Sequence, residues 1–259
     1  MSRTFVVGDV HGCSSEFNKL LSQLQLTPED HFIFIGDLLH KGPYSDCVLL
    51  QADAIGSYCR RTIVCGNHEE KQIRFMKTED RLAGSTKKNP MQHTEGYLNI
   101  SKFMEDNHDL GLREALDEAP FYVQTEGFTL VHGGIAPRAN LYDLTCKTYH
   151  NLRGEEKEKG RWLLFTRYVS PLGYPVALGQ EAPEDKFWAE IYDGRYGHVI
   201  FGHHPFLEPT VKHFPHATGI DLGCVYGNQL AAVEIKDGEI VREYYQQADR
   251  QYQLPHIED

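Results

Sequence analysis

Five short apolar runs in this 259-residue chain each finish in glycine together with Asp, Asn or His. Phe5-Val6-Val7 ends in Gly8-Asp9-Val10-His11-Gly12, and Phe32-Ile33-Phe34-Ile35 ends in Gly36-Asp37. Thr62-Ile63-Val64-Cys65 ends in Gly66-Asn67-His68-Glu69. Thr129-Leu130-Val131 ends in His132-Gly133-Gly134, and Val199-Ile200-Phe201 ends in Gly202-His203-His204-Pro205. A turn needs only the glycine. Asp, Asn and His are oxygen and nitrogen donors for divalent metals, and glycine lets the backbone bend and approach closely. One Gly-Asp or Gly-His is an ordinary turn; five at the ends of apolar runs point to a shared site.

Asp9, His11, Asp37, Asn67, His132 and His203 give six candidate ligands. One ion rarely takes six side chains and keeps a position open for substrate. Two ions share them naturally, with a carboxylate as bridge. A pair of metals about 3.5–4 Å apart clamps the attacking and leaving oxygens of an in-line displacement at phosphorus. A water bridging them loses its proton near neutral pH, and the resulting hydroxide is the nucleophile.

The elements that must position these groups follow from periodicity. Strand, helix, strand, helix, strand, helix fills the first 75 residues: strands at Phe5–Val7, Phe32–Ile35 and Thr62–Cys65, helices at Glu16–Leu26 and Cys47–Tyr58, and a charged helical segment after Glu69. Ser14 or Ser15 is the expected cap of the first helix, and Ser45 or Asp46 of the second. This alternation implies parallel strands, which collect sites at their carboxyl ends. Residues 77–96 read as a polar loop or lid. Tyr97–Asp106 and Leu112–Glu118 read as helices, and Phe121–Gln124 and Phe128–Val131 as strands joined by Thr125-Glu126-Gly127. Beyond residue 160 the pattern gives strands at Leu163–Tyr168, His198–Phe201, Thr210–His213, Leu230–Ile235 and Glu239–Tyr244. Lys236-Asp237-Gly238 is a hairpin turn. The expected architecture is an α/β fold of two packed mixed β-sheets flanked by helices, a single domain over residues 1–259.

Composition narrows the partners. Net charge is −11 and no basic stripe exists, which disfavours duplex binding. No run of about 18 apolar residues suggests a membrane span, and the N-terminus lacks the pattern of a secretory signal, so a cytoplasmic protein is expected. Cysteines 13, 47, 59, 65, 146 and 224 form no Cys-x-x-Cys pair and read as buried free thiols. The histidines outside the five blocks, at 31, 93, 108, 150, 198, 213, 216 and 256, read as ordinary surface or core residues.

The five blocks, spanning residues 8 to 205, closely resemble in order the motifs of the calcineurin-like metallophosphoesterases. They lie nearest the phosphoprotein phosphatase branch, which includes the bacterial symmetrical diadenosine tetraphosphatases. The resemblance implies a sandwich of two mixed sheets and two divalent ions. Asp9 and His11 would hold the first metal, Asp37 would bridge, and Asn67, His132 and His203 would hold the second. His68 would be the general acid that protonates the leaving oxygen. Glu69 is either a partner behind the ligands or an acid favoured at a helix N-terminus. Manganese is the expected metal, with iron, zinc, cobalt and nickel as alternatives.

One block departs from the family. Where its protein phosphatases read Gly-Asp-x-Val-Asp-Arg-Gly, this chain reads Gly36-Asp37-Leu38-Leu39-His40-Lys41-Gly42. His40 replaces the Asp that orients the general acid. Lys41 replaces a phosphate-binding Arg and is a cation without the bidentate fork. Diadenosine tetraphosphatases also lack that Asp, which leans the reading towards a nucleotide polyphosphate. A Ser/Thr or Tyr phosphoprotein phosphatase is the alternative, and a metal-binding scaffold without catalysis the remote one. Arg167 is the expected second phosphate contact, with Arg153 as alternative. His204 reads as structural or as a neighbour of substrate, and Tyr142, Tyr149 and Tyr226 are candidates for stacking a base. Loops 77–96 and 140–160 would choose the substrate. Oligomeric state is open.

Overall fold

The computed structural model describes residues 2–91, 95–125, 127–144, 148 and 151–253. Glu126, Cys146, Tyr149 and histidines 93, 150 and 256, named above, lie outside them. In chain order the elements are β1 (Thr4–Val7), α1 (Ser14–Leu24), β2 (His31–Phe34), α2 (Ser45–Tyr58), β3 (Arg60–Ile63), α3 (Asn67–Leu82), α4 (Glu95–Asp106), α5 (Leu112–Asp117), β4 (Tyr122–Thr125), β5 (Phe128–Val131), α6 (Gly154–Phe165), β6 (Tyr168–Val169), β7 (Pro175–Val176), β8 (Lys186–Phe187), α7 (Trp188–Ile191), β9 (His198–Phe201), β10 (Lys212–Phe214), β11 (Ala217–Gly219), β12 (Gln229–Lys236) and β13 (Glu239–Gln247).

Two mixed five-stranded sheets result, ordered β13-β12-β1-β2-β3 and β10-β11-β9-β5-β4, with a small sheet β7-β6-β8 beside them. In the first, β1 and β2 pair in parallel (Thr4 opposite His31), as do β2 and β3, while β12 runs antiparallel to β1. In the second, β11, β9 and β5 are parallel neighbours.

The apolar strands are buried on both faces, which is why they read as unbroken runs. Phe5, Val7, Phe32 and Phe34 face the helices and share a core with Phe17, Leu20 and Leu24 of α1. Val6, Ile33 and Ile35 face the other way and pack with Leu130 and Ile200 of the second sheet. The side-chain period of two thus serves two cores at once. Phe17 stands 5.4 Å from the Phe34 ring and is fully buried; truncating such a ring to Ala costs roughly 3–5 kcal/mol. No helix among the described residues is long and apolar enough to cross a membrane.

The fold agrees with the expected class, and several elements differ. Leu163–Tyr168 is not a strand: Leu163 and Leu164 are buried residues in the last turns of α6, and only Tyr168–Val169 is extended. The apolar cluster resembles a strand in sequence because it closes a helix whose first turns are almost wholly charged. Part of the expected loop at 77–96 is helical, since α3 runs to Leu82 and α4 begins at Glu95. Neither expected cap is made: α1 and α2 begin at Ser14 and Ser45, after Cys13 and Tyr44, with no side-chain cap bond. Ser45 instead accepts the His40 N–H at 2.9 Å. The hairpin turn joins β12 to β13, with Asp237 and Gly238 both left-handed.

Candidate active site

Asp37 stands at the centre. It follows β2 with a positive φ of 52°, and its carboxylate faces two histidines, His132 Nε2 at 3.3 Å and His11 Nε2 at 3.5 Å. It also accepts the backbone N–H of His68 at 2.9 Å. Two triads of donor atoms each lie within 4.8 Å of one another: His11, Asp37 and His68, and Asp37, His132 and His203. Asp37 belongs to both. The Asn67 Oδ1 is 2.9 Å from His132 Nε2. Asp9 accepts the His203 N–H at 3.0 Å and lies 4.0 Å from His11 Nε2. All six expected ligands and His68 are buried and brought to one place.

The local backbone accounts for the glycines. A Cβ on Gly66 would run into the Asp37 carboxylate, and one on Gly202 into that of Asp9. Among the described residues, seven non-glycine residues have positive φ, and five of them are His11, Asp37, His40, Lys41 and His203. Each such conformation costs of order 1–3 kcal/mol and persists only where its surroundings hold it.

Hydrogen-bond accounting tests whether a metal fits. The Ile35 carbonyl lies 3.0 Å from His132 Nδ1, and the Leu39 carbonyl 3.0 Å from His11 Nδ1. A carbonyl only accepts, so each Nδ1 carries the hydrogen. The Nε2 of His132 is then aimed at two oxygens, of Asn67 and Asp37, that also only accept. A proton or a cation has to lie between them. Histidine locked through Nδ1 to a carbonyl with Nε2 free is the usual arrangement of a metal ligand, and mixed imidazole, carboxylate and carboxamide donors suit a divalent transition metal. The residues fit the ions.

Electrostatics agree. Burial, then Asp221 and Asp37, push the Asp9 carboxyl well above its ordinary value. Burial works against the Asp37 carboxylate, yet His132, His68 and His11 hold it well below. Burial and Lys41 lower His11 to about 3. Burial, with Arg167 and His132, holds His203 well below the ordinary imidazole range.

Glu69 serves both readings given to it. It opens α3 and accepts three backbone N–H groups, from Asp37 at 2.7 Å, Leu38 at 2.9 Å and Gly66 at 3.1 Å. Burial and Asp37 raise it to about 7. One carboxylate thereby fastens the turn after β2 to the start of α3.

Two cavities flank the triads. One of about 490 Å³ opens at His68 and His40 and is lined by Lys41, Lys71, Tyr97 and Phe103 among others. The other, about 320 Å³, opens at His203 and is lined by Arg161, Arg167, Trp162 and Phe165 among others. Arg167 donates to the His203 carbonyl at 3.0 Å, which puts its guanidinium at the site. Arg153 donates to the Leu152 carbonyl and does not line that cavity. Lys41 donates to the Tyr226 hydroxyl at 2.8 Å. His204 packs against Phe187 and Phe206, each 4.9 Å away, in an aromatic cluster. Tyr142 is exposed and meets only Tyr196 among ring contacts of the described residues.

Sequence reasoning missed Asp221. It follows β11 in Gly219-Ile220-Asp221-Leu222-Gly223, a sixth strand end with the same signature. Asp221 is buried and raised to about 6, mainly by burial, and it acts on Asp9. The signal was present, but β11 is three residues long and no strand was expected there. Arg161 was also missed, since it lies on α6, which the expected strand at Leu163–Tyr168 concealed.

Comparisons place this geometry. The asymmetrical bis(5'-nucleosyl)-tetraphosphatase of Oceanobacillus iheyensis is 27% identical over 91% of this chain and 90% of its own. The symmetrical enzyme of Glaesserella parasuis is 28% identical over 92% and 96%. Among solved structures, one provisionally described as a diadenosine tetraphosphatase superposes with a TM-score of 0.64 at 21% identity, covering 94% of this chain and 93% of that one. A yeast serine/threonine phosphatase gives 0.55 at 14%, covering 95% and 80%. The family model described as calcineurin-like phosphoesterase matches residues 2–228, and so, with its buried row of donor side chains at the seam of two sheets, the chain belongs to the calcineurin-like phosphoesterases and is a hydrolase.

Proposed function

We propose that this protein hydrolyses dinucleoside tetraphosphates, as its relatives are named for doing. The observation that carries the reading is the pair of cavities. Each sets cations beside aromatic rings, and they flank Asp37 from its two sides. That suits a molecule with a base at each end and anionic phosphates between. Both volumes fall in the ordinary range of ligand sites, about 300–1,000 Å³.

Asp9 and His11 would hold one ion, Asn67, His132 and His203 the other, and Asp37 would bridge them. Two divalent ions, when bound, neutralise phosphate charge and lower the pKa of water. Lys41 and Arg167 bind phosphate oxygens from opposite sides. A water oxygen bonds to phosphorus as its proton passes to solvent, the bond from phosphorus to the leaving oxygen breaks, and His68, carrying hydrogen on both ring nitrogens for this step, hands its Nε2 proton to that oxygen. The Nε2 of His68 is buried and has no hydrogen-bond partner among the described residues, which leaves it available for this task. Manganese in a cytoplasmic setting belongs to the same reading; the described cysteines are free thiols, as a reducing compartment keeps them. A core that runs from Phe5 to Tyr244 supports one domain.

Metal-stripped protein is reloaded with manganese, iron, zinc, cobalt or nickel and assayed on diadenosine tetraphosphate, a phosphopeptide and p-nitrophenyl phosphate. The reading requires the highest kcat/KM on the dinucleotide, and manganese as the best metal. Products of ADP alone or of ATP plus AMP then distinguish symmetrical from asymmetrical cleavage. A higher kcat/KM on the phosphopeptide would replace this reading with a phosphoprotein phosphatase. Two bound metals without turnover on any substrate would leave the scaffold.

A further inference from the structure

We propose that His40 and Gln72 are positioning residues that fix the tautomer and the aim of His68. The direction of the hydrogen bonds is set by one backbone carbonyl. Gln72 Nε2 donates to the Tyr97 carbonyl at 3.1 Å and lies 2.9 Å from Ser101 Oγ. A carbonyl only accepts, so the amide nitrogen must face it, and Oε1 must face His40. Oε1 is 3.0 Å from His40 Nε2 and likewise only accepts, so that nitrogen carries the hydrogen. In the neutral ring, Nδ1 of His40 is then an acceptor. It lies 3.1 Å from Nδ1 of His68, which must donate. The second nitrogen of His68, Nε2, is the bare nitrogen of the neutral ring, has no hydrogen-bond partner among the described residues, and takes up a proton before it can donate one. A histidine nitrogen is assigned by the bond its partner nitrogen makes, and here a chain of four groups, ending at Tyr97, makes that assignment.

Backbone strain points the same way independently. His40 and Lys41 are consecutive left-handed residues, with φ of 66° and 64°, and neither is glycine. Their turn is held by His40 N to Ser45 Oγ at 2.9 Å and Gly42 N to the His11 carbonyl at 2.8 Å. A simple reversal would relax with glycine. This one stands the His40 ring 5.2 Å from His68 and edge-on to Tyr97 at 4.4 Å. The inference rests on the reading of His68 as the proton donor only for its kinetic consequence; the tautomer stands apart from it.

Two measurements test it. Long-range proton–nitrogen correlation spectra of the metal-free wild type read the ring nitrogens directly. Hydrogen on Nδ1 of His68 and on Nε2 of His40 is expected, and the reverse tautomers would overturn the proposal. In the manganese-loaded enzyme, His40→Phe keeps the ring and removes the acceptor. The expected loss is about 10²-fold in kcat on phenyl phosphate, a poor leaving group, through misplacement of the donor. On 2,4-dinitrophenyl phosphate it should be under about 3-fold, since little proton donation is needed, with KM unchanged on both. His40→Asn, whose Oδ1 falls where Nδ1 lay, should restore most of the lost rate. Equal losses on both esters, or no rescue by Asn, would reduce His40 to a packing residue. If His68→Ala shows no leaving-group dependence, the proton-donor reading fails, while the spectra still decide the tautomer.

Discussion

Each end of the row of donor side chains carries cations and aromatic rings, Lys41 and Tyr97 among them at the His68 end, but only there is the histidine backed by imidazoles and a carboxamide, His11, His40 and Gln72. At the His203 end the neighbours are guanidinium groups and aromatic rings, Arg161, Arg167, Trp162 and Phe165. The first end comes from the loops after β1 and β2 and the start of α3. The second comes from the loop after β9 and from α6. Both can hold charge, and the first is in addition suited to holding a proton in a chosen direction. A phosphate bound between them would meet a cation on both sides and proton transfer on one, so loss of His68 and loss of Arg167 should differ in kind.

Asp37→Asn removes the group both ends share and should abolish the difference. A loss of several kcal/mol of charge stabilisation is expected, about three orders of magnitude in kcat/KM, with fewer than two metals per chain by elemental analysis. Retention of two metals and near-normal turnover would sink the bridging role.

His68→Ala tests the proton end alone. A fall in kcat of roughly 10²–10⁴-fold is expected on substrates with poor leaving groups. Arg167→Ala tests the charge end. One charge-assisted hydrogen bond is worth about 1.5–3 kcal/mol, which appears in KM across all leaving groups. Should Arg167→Ala instead track leaving-group pKa, the two ends do not divide the work as described.

Smaller effects concern stability. Glu69→Gln retains one acceptor oxygen for three N–H donors, and unsatisfied buried groups cost about 1–3 kcal/mol each. At about 2–4 °C per kcal/mol for a chain of this size, calorimetry should find Tm lower by several degrees. An unchanged Tm would show that Glu69 does not fasten the turn to α3. In the metal-free protein, burial first of all holds His11 at about 3 and His31, His40 and His204 at about 4, from 6.5. The unfolded chain binds protons there that the folded chain refuses. Stability is therefore full above about pH 6.5 and lost as pH falls towards about 4. Glu69 and Asp221, raised to about 7 and about 6, act oppositely: they favour the fold at low pH and lose that contribution as pH rises through those values. Melting curves at pH 7 and 4.5 should show a net fall, and a level or rising Tm at pH 4.5 would contradict it.

The site was more legible in the sequence than the elements around it. Metal-site chemistry requires particular side chains beside tight turns, and both leave marks in a single chain, as at Gly66-Asn67-His68. What depends on tertiary packing left weaker marks. α6 hid because its buried residues, Leu163 and Leu164, crowd one end. Asp221 hid because β11 is too short to show a period. The partnership of His40 with Gln72 spans 32 residues and joins a turn to a helix, so no local pattern foretells it.

Asp9, His11, Asp37 and Asn67 follow strands of one sheet, and His132, His203 and Asp221 follow strands of the other. An ion held by these residues would therefore bind the folded arrangement and not the separated sheets. Its binding energy adds to resistance against unfolding, by about 2.7 kcal/mol at a hundred times the dissociation constant. Tm should rise with the logarithm of added cation and collapse to a lower plateau in chelator. Ranking the ions by that rise measures the site's preference among metals before any substrate is known.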